Sequence, residues 1–166
     1  MTIAIGDSLP HATFQVARTE GVESRTTEEV FRGRRVVLVG VPGAFTPACD
    51  LTHLPGFVEA ADRIRSTGVD AIAVTSVNDA FVLRAWGAAS GADGKVEFLA
   101  DGNGDFATAL GLAVDASARG MGTRSRRYAM VVDDLVVKNL SIDEPGKVDV
   151  SSAGKLLELL AAAPSG

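Results

Sequence analysis

The chain has 166 residues, and 46% of them are hydrophobic, which suits one domain with a buried core and excludes a disordered protein. Its 16 basic and 21 acidic residues give a formal net charge of -5, which disfavours nucleic acid as the main partner. No stretch approaches the roughly 20 apolar residues of a membrane span, and residues 1–9 lack the pattern of a secretory signal. We expect a single domain over residues 1–166, with no membrane contact.

The cysteine count restricts the chemistry further. Cys49 is the one cysteine, so an intrachain disulfide is impossible and a cysteine-rich zinc site is excluded. No metal or other cofactor is expected. Together with the missing secretory pattern, the single thiol favours a reducing compartment, and we expect the protein in the cytoplasm.

The first half of the chain alternates between strand and helix patterns. Thr26 and Glu29 have capping-box spacing and open a short helix that ends near Gly33. After the loop 42–48 comes a longer helix, which Gly68 ends and Pro55 should kink. Predicted strands occupy 14–16, 36–41 and 69–76, and the apolar face of the longer helix comprises Phe57, Ala60, Ala61 and Ile64.

The second half continues the alternation and ends in a hairpin. Asn78 or Asp79 caps a helix that runs to about Ser90, and Ser151 or Ser152 caps the last helix. Asp133-Asp134 is a tight turn between two strands. The remaining predicted elements are strands at 96–100, 128–132 and 136–140, a short helix at 106–110 closed by Gly111, and a last helix with an apolar stripe of Leu156, Leu159 and Leu160.

The order of elements, βαβαβαβαββα, predicts the fold class. Early strand-helix-strand crossovers imply parallel pairing, and the late hairpin adds antiparallel strands. The sequence therefore predicts an α/β, thioredoxin-like fold whose mixed central sheet is flanked by helices on both faces.

The segment from Pro42 to Cys49 is the most informative part of the sequence. It leaves a buried strand and enters a helix, with Cys49 in or near the first turn. Free backbone N–H groups and the helix dipole both favour a thiolate at that position. Thr46 is close enough to aim its hydroxyl at the sulfur, and Pro42 and Pro47 stiffen the loop.

Other interpretations of these residues compete with a reactive thiol. Cys49 could be a buried small hydrophobe, as most lone cysteines are. His53, four residues later, could form a Cys-His nucleophilic pair, but no orienting acid or oxyanion motif accompanies it, and a structural role is favoured. The arginines at 119, 124, 126 and 127 suggest a solvated face or an anion site. The Asp101–Asp105 segment begins like a calcium loop but lacks the required Gly and Glu, so calcium is rejected.

Several motifs resemble the peroxiredoxins, specifically their type II (atypical, fifth-class) subfamily. The similarity extends in register over roughly residues 4–160. The segments that carry it are Pro42-x-x-x-Thr46-x-x-Cys49, its extension through Thr52–Phe57, Ser76–Phe81, Leu99–Asp101 and Gly122–Tyr128.

This resemblance implies a thiol peroxidase that reduces hydroperoxides. Cys49 corresponds to the peroxidatic cysteine, and Thr46 to the threonine that hydrogen-bonds the thiolate and the peroxide. Pro42 corresponds to the proline that shields the sulfur, and Arg127 to the arginine that holds the thiolate and polarises the peroxide. Attack on the peroxide gives a Cys49 sulfenic acid. We also expect Arg124 to assist Arg127, and Arg126 to face the other side of its strand.

The sequence departs from some type II relatives, which have a second, resolving cysteine. Those positions hold Val74 or Ser151 here, so the sulfenic acid must be resolved by an external thiol. The resemblance implies glutathione with glutaredoxin, or a thioredoxin as the alternative reductant. Asp50, beside the cysteine, adds a negative charge that opposes thiolate formation slightly.

The resemblance also implies assembly, because type II relatives form dimers through loops around the active site. Apolar candidates for such an interface are Phe45, Leu51, Phe81 and Met121. We therefore expect a homodimer. The alternative function on the same fold is a redox sensor or a chaperone-like binding protein that uses the same thiol.

Overall fold

The computed structural model describes residues 1–162. Its strands are β1 Thr13–Arg18, β2 Gly21–Thr26, β3 Arg35–Gly40, β4 Ala71–Ser76, β5 Glu97–Ala100, β6 Ala113–Asp115, β7 Thr123–Ser125, β8 Tyr128–Asp133 and β9 Val136–Ile142. Its helices are α1 Thr27–Phe31, α2 Leu54–Arg65, α3 Ala80–Ala89, α4 Asp105–Leu110 and α5 Ala153–Ala162, with a π-helical turn at Cys49–His53 and a 3-10 turn at Ser117–Arg119. Within residues 1–162, no helix has the length and apolar character to cross a membrane.

Seven strands form one mixed sheet in the order β2-β1-β5-β4-β3-β8-β9. The central strands β3, β4 and β5 are parallel, and β8, β9, β1 and β2 pair antiparallel at the two sides. The predicted thioredoxin-like fold with a mixed sheet is confirmed. Strands β6 and β7 form a separate short hairpin.

Two apolar layers enclose the sheet, one on each face. Alternate residues of β3 point to opposite layers, so Val37 and Val39 pack with α2, α3 and α5 while Val36 and Leu38 pack with α1 and α4. Helices therefore cover both faces, as predicted. Cys49 belongs to the layer that contains α2, α3 and α5.

The helix that follows Cys49 has an irregular start. Its predicted apolar face is buried, and it ends at Arg65 shortly before Gly68. The expected distortion at Pro55 lies in the preceding turn, where the N–H of Leu54 donates to the carbonyl of Cys49, five residues back. Pro55 has no N–H to continue a regular ladder, and it occupies the first turn of α2.

Three strands have no counterpart in the predicted order. β2 is an edge strand with no buried residue, and β6 and β7 have three residues each, so none of them shows a hydrophobic alternation. The predicted turn at Asp133-Asp134 is shifted by one residue. Asp134 and Leu135, both with positive φ, connect β8 to β9, in keeping with a type I′ hairpin.

Candidate active site

Cys49 lies where the chain leaves β3 and begins a helix. Pro47 is the first helical residue, and the N–H of Asp50 donates to the carbonyl of Thr46 at 2.8 Å. The Cys49 side chain is fully buried and is a free thiol. The sulfur therefore sits in the first turns of a helix, as the sequence predicts, but beneath the surface.

Arg127 reaches the sulfur from the neighbouring strand. Because β8 pairs antiparallel with β3, Tyr128 lies opposite Gly40 and the preceding Arg127 lies beside the loop that leaves β3. The Arg127 Nη2 group donates to Cys49 Sγ at 3.3 Å, and only 6% of Arg127 is exposed. The structure thus brings together two residues that are 78 positions apart in the chain.

His53 contacts the same guanidinium. Arg127 Nη1 lies 2.9 Å from His53 Nδ1, and His53 Nε2 lies 2.9 Å from the carbonyl oxygen of Ser151. Burial lowers the pKa of His53 to about 4; the positive charge of Arg127 also lowers it, whereas the hydrogen bond with Ser151 and the negative charge of Asp143 act in the opposite direction. His53 is therefore a neutral hydrogen-bonding residue at physiological pH.

Asp143 completes the buried polar group, and the sequence predicted no role for it. Its carboxylate accepts from the Ser151 hydroxyl at 2.5 Å and from the backbone N–H groups of Asp149, Val150 and Ser151. Burial acts to raise the pKa of Asp143, but the hydrogen bonds from Ser151, Asp149 and Val150 outweigh it and hold the pKa below its usual value.

The loop before the cysteine is held by its own hydrogen bonds. The Thr46 hydroxyl donates to the Gly43 carbonyl at 2.7 Å, and not to the sulfur. Arg124 Nη1 donates to the Pro42 carbonyl at 3.4 Å, so Arg124 supports this loop and does not touch the thiol. The hydroxyl oxygen of Thr46 keeps lone pairs with which it can accept a hydrogen bond.

The Asp50 side chain is hydrogen-bonded to α3. Its Oδ1 accepts a hydrogen bond from the Trp86 indole N–H at 2.9 Å. The carboxylate has a structural partner that the sequence does not reveal, because Trp86 lies 36 residues further along the chain.

A cleft of about 510 Å³ opens next to the thiol. Its wall includes Pro42, Thr46, Ala48 and Arg127, together with residues of the β6–β7 hairpin and residues 143–146. The Nε of Arg127 is buried and has no hydrogen-bond partner within residues 1–162. A small acceptor beside the sulfur would satisfy that donor.

Comparison with known proteins agrees with this geometry. The Redoxin family matches residues 4–157. The chain is 42% identical to peroxiredoxin-2B of Arabidopsis thaliana over 159 residues, which cover 95% of this chain and 98% of the relative. The chain belongs to the peroxiredoxin family. This peroxiredoxin is therefore a thiol peroxidase, an oxidoreductase, and the predicted membership is confirmed.

Other peroxiredoxins support the same conclusion. This peroxiredoxin is 50% identical to peroxiredoxin-2E-2, chloroplastic, of Oryza sativa over 165 residues, covering 96% of its own length and 73% of the rice protein. The crystal structure of reduced Prx3 from Vibrio vulnificus in complex with hydrogen peroxide superimposes with a TM-score of 0.92 at 46% identity, covering 96% of this chain and 99% of that one.

Proposed function

We propose that Cys49 is the peroxidatic nucleophile and that Pro42, Thr46 and Arg127 assist it. The observation that supports this proposal is the buried contact of 3.3 Å between Arg127 Nη2 and Cys49 Sγ. A fixed guanidinium beside a sulfur at the start of a helix stabilises the thiolate, which is the reactive form of the group.

The reaction is a displacement at oxygen. The Cys49 thiolate attacks the terminal oxygen of a hydroperoxide, an S–O bond forms, and the O–O bond breaks. Cysteine is oxidised to sulfenic acid, and the leaving oxygen takes a proton from water to become an alcohol, or water when the substrate is hydrogen peroxide.

The residues around the thiol have complementary roles in this proposal. The Nε–H of Arg127, which has no partner among residues 1–162, donates to the peroxide and stabilises negative charge on the leaving oxygen. The Thr46 hydroxyl donates its hydrogen bond to the Gly43 carbonyl, so its oxygen is oriented to accept a hydrogen bond from the peroxide O–H. Pro42 contributes part of the wall between the cleft and the sulfur.

The cleft supports both small and organic hydroperoxides as substrates. Val114, Ala116, Met121 and Pro145 give its outer part apolar surface. An alkyl group can lie there while the peroxide reaches Cys49, whereas hydrogen peroxide needs only the polar end.

The sulfenic acid then requires a thiol from outside the chain. Glutathione would condense with it to release water and form a mixed disulfide, which glutaredoxin would reduce by thiol exchange. A thioredoxin acting directly is the alternative reductant. Cys49 is the only cysteine, and the two positions considered for a resolving cysteine hold Val74 and Ser151, both buried.

We further propose a homodimer and a cytoplasmic location. Phe45, Leu51 and Phe81 are exposed apolar residues near the site, which supports an interface there. The need for an external thiol supports a reducing compartment.

The test combines peroxide consumption with intact-mass spectrometry. We expect Cys49→Ser to abolish turnover and Arg127→Gln to reduce it at least about 100-fold, because the thiolate and the leaving oxygen lose their cation. Arg32→Gln, on the exposed surface after α1, is the matched control.

One equivalent of peroxide should add one oxygen to the mass, and glutathione should convert that species to a mixed disulfide. Retention of the rate in Cys49→Ser would refute the proposal. Turnover with a thioredoxin system but none with glutathione and glutaredoxin would reject the choice of reductant alone. Single oxidation without turnover under any thiol would favour the sensor alternative.

A further inference from the structure

A continuous line of buried polar side chains extends behind Arg127, on the side away from the sulfur. It runs from Arg127 through His53 and Ser151 to Asp143, and the exposed fractions of these residues are 6%, 1%, 0% and 4%. Successive polar atoms lie 2.9, 3.2 and 2.5 Å apart. Such a group is expensive to bury unless its polar atoms are paired, and each side chain of this line is hydrogen-bonded to the next one.

The two ends of this line fix the direction of every hydrogen bond in it. A guanidinium only donates, so His53 Nδ1 must accept from Arg127 and the ring proton must sit on Nε2. At the other end an ionised carboxylate only accepts, so the Ser151 hydroxyl must donate to Asp143. The Ser151 oxygen and carbonyl are then left to accept from His53 Nε2–H.

The backbone closes this line into a ring. The N–H of Asp143 donates to the carbonyl of Arg127 at 2.9 Å. The carboxylate of Asp143 accepts hydrogen bonds from the N–H groups of residues 149–151, and these bonds hold Ser151 opposite His53. Asp143 therefore contacts Arg127 directly through the backbone and indirectly through two side chains.

We propose that Asp143 and Ser151 are positioning residues for the peroxidase reaction, which hold His53 in its Nε2–H tautomer so that Arg127 keeps Nη2 on the Cys49 sulfur. The proposal rests on the roles of Cys49 and Arg127 proposed above. Without the acceptor at Nδ1, nothing in the line fixes the rotation of the guanidinium.

Ser151 has a different role here from that of a resolving cysteine. It stands at one of the positions considered above for a resolving cysteine. Here its hydroxyl bridges His53 and Asp143 instead. The same position thus supports the first half of the reaction cycle, the attack on peroxide.

Several charged and titratable groups lie around His53 and affect the pH at which its ring is protonated. Arg127 and Asp143 face the ring, and Cys49 lies one turn earlier on the same helix. Glu59 and Arg63 of α2 line a cleft that His53 also borders. Protonation of Nδ1 would place a second donor against Arg127 and break their hydrogen bond.

The experiment compares three variants with a matched control. Ser151→Ala removes the hydroxyl, Ser151→Thr restores one, and Asp143→Asn removes the charge. Ser152→Ala is the control, because the Ser152 hydroxyl accepts from the N–H of Lys155 at the start of α5 and is not one of the four residues of the buried line. The rate of Cys49 alkylation by iodoacetamide and the rate of peroxide reduction are both followed against pH.

We expect Ser151→Ala and Asp143→Asn to slow peroxide reduction about 10-fold, because the Arg127 guanidinium is no longer held on the sulfur. Asp143→Asn should also move the acidic limb set by His53 to lower pH, because the negative charge of Asp143 raises the pKa of that ring. Ser151→Thr should recover most of the rate, and Ser152→Ala should match the wild type. Unchanged rates in folded Ser151→Ala and Asp143→Asn, with an unchanged acidic limb in Asp143→Asn, would overturn the proposal.

A spectroscopic measurement keeps the test valid if a variant fails to fold. The chain has two histidines, so His11→Gln leaves His53 as the only imidazole. Nitrogen chemical shifts of that ring should show the Nε2–H tautomer at neutral pH. The Nδ1–H tautomer or an imidazolium would overturn the proposal without reference to peroxidase activity, so its failure is distinct from that of the proposed function.

Discussion

At the scale of single residues, one guanidinium carries two tasks at the site. Arg127 places one nitrogen on Cys49 and the other on His53, at 3.3 and 2.9 Å. The planar fork makes both contacts possible at once, and a lysine ammonium of similar charge could not reproduce them. The neutral state of His53 is part of this arrangement, because only an unprotonated Nδ1 can accept.

The low pKa of His53 predicts a pH-dependent stability. Between pH 6.5 and about 4 the unfolded chain binds a proton at this residue and the folded chain does not. The contribution of His53 to the free energy of unfolding is therefore fully present above pH 6.5. It decreases by about 3 kcal/mol in all as the pH falls from 6.5 to about 4. Urea unfolding at several pH values measures this slope.

His53→Gln should flatten the slope in that window while its amide oxygen still accepts from Arg127. Arg32→Gln, at an exposed residue that does not titrate in this window, should leave the slope unchanged. An identical slope in wild type and His53→Gln would contradict the expectation.

At the scale of elements, the site depends on the close approach of β3 and β8. Gly40 ends β3 opposite Tyr128, whose ring occupies the space that a side chain at Gly40 would need. Tyr128 is buried and directly follows Arg127. The packing of Tyr128 against Gly40 therefore determines the position of the Arg127 backbone.

Gly40→Ala should therefore damage both stability and activity. A Cβ at this position would lie 2.1 Å from the Tyr128 ring, and relieving that clash must move either the ring or the strand. We expect a loss of roughly 1–3 kcal/mol in the free energy of unfolding. The rate of peroxide reduction should fall as well, because Arg127 moves with its neighbour.

Gly154→Ala is the matched control, since an added Cβ there meets nothing within 4 Å. In the exposed first turn of α5 it should be neutral or stabilise by about 0.5–1 kcal/mol. A Gly40→Ala protein as stable and active as the wild type would refute the proposed importance of this contact.

At the scale of the whole molecule, apolar side chains collect on the surface around α3 and the cysteine loop. Leu51 and Phe81 are 75% and 70% exposed, and Phe45 lies against Trp86 with a ring distance of 6.4 Å. Met121, the fourth predicted candidate, is half-buried and borders the cleft. Exposed apolar groups beside a pocket are typical of an interface, and we infer that a second copy of the chain covers them.

Sedimentation at micromolar concentration tests this assembly. The wild type should sediment as a dimer, and Leu51→Glu or Phe81→Glu should shift it toward monomer, because a charge would be buried at the interface. Ile5→Glu is the control, because Ile5 is exposed but distant from the proposed interface. The residues that follow it, Gly6 and Asp7, pair with Val137, which lies beside the end of β8 opposite to Arg127. A wild type that stays monomeric, or an equal effect of all three changes, would contradict the proposed interface.

The sequence by itself determined the features with strong local patterns. The capping box of Thr26 and Glu29 is present, β3 is buried on both faces, and the predicted face of α2 is buried. These features follow from hydrophobic period and cap chemistry, which act over a few residues. The resemblance to peroxiredoxins rests on segments that are contiguous in the chain, and it was sufficient for the family.

Only the tertiary structure decided how the polar residues are used. Asp79 caps α3, because the side chain of Asn78 accepts from the N–H of Ala44. Ser152 caps α5, because the hydroxyl of Ser151 is hydrogen-bonded to the Asp143 carboxylate.

The partners of His53 lie 74 and 98 residues away, so no local pattern could reveal them. A hydrogen bond depends on a distance of about 3 Å between two atoms, and for such pairs that distance exists only after the sheet has brought the strand ends together.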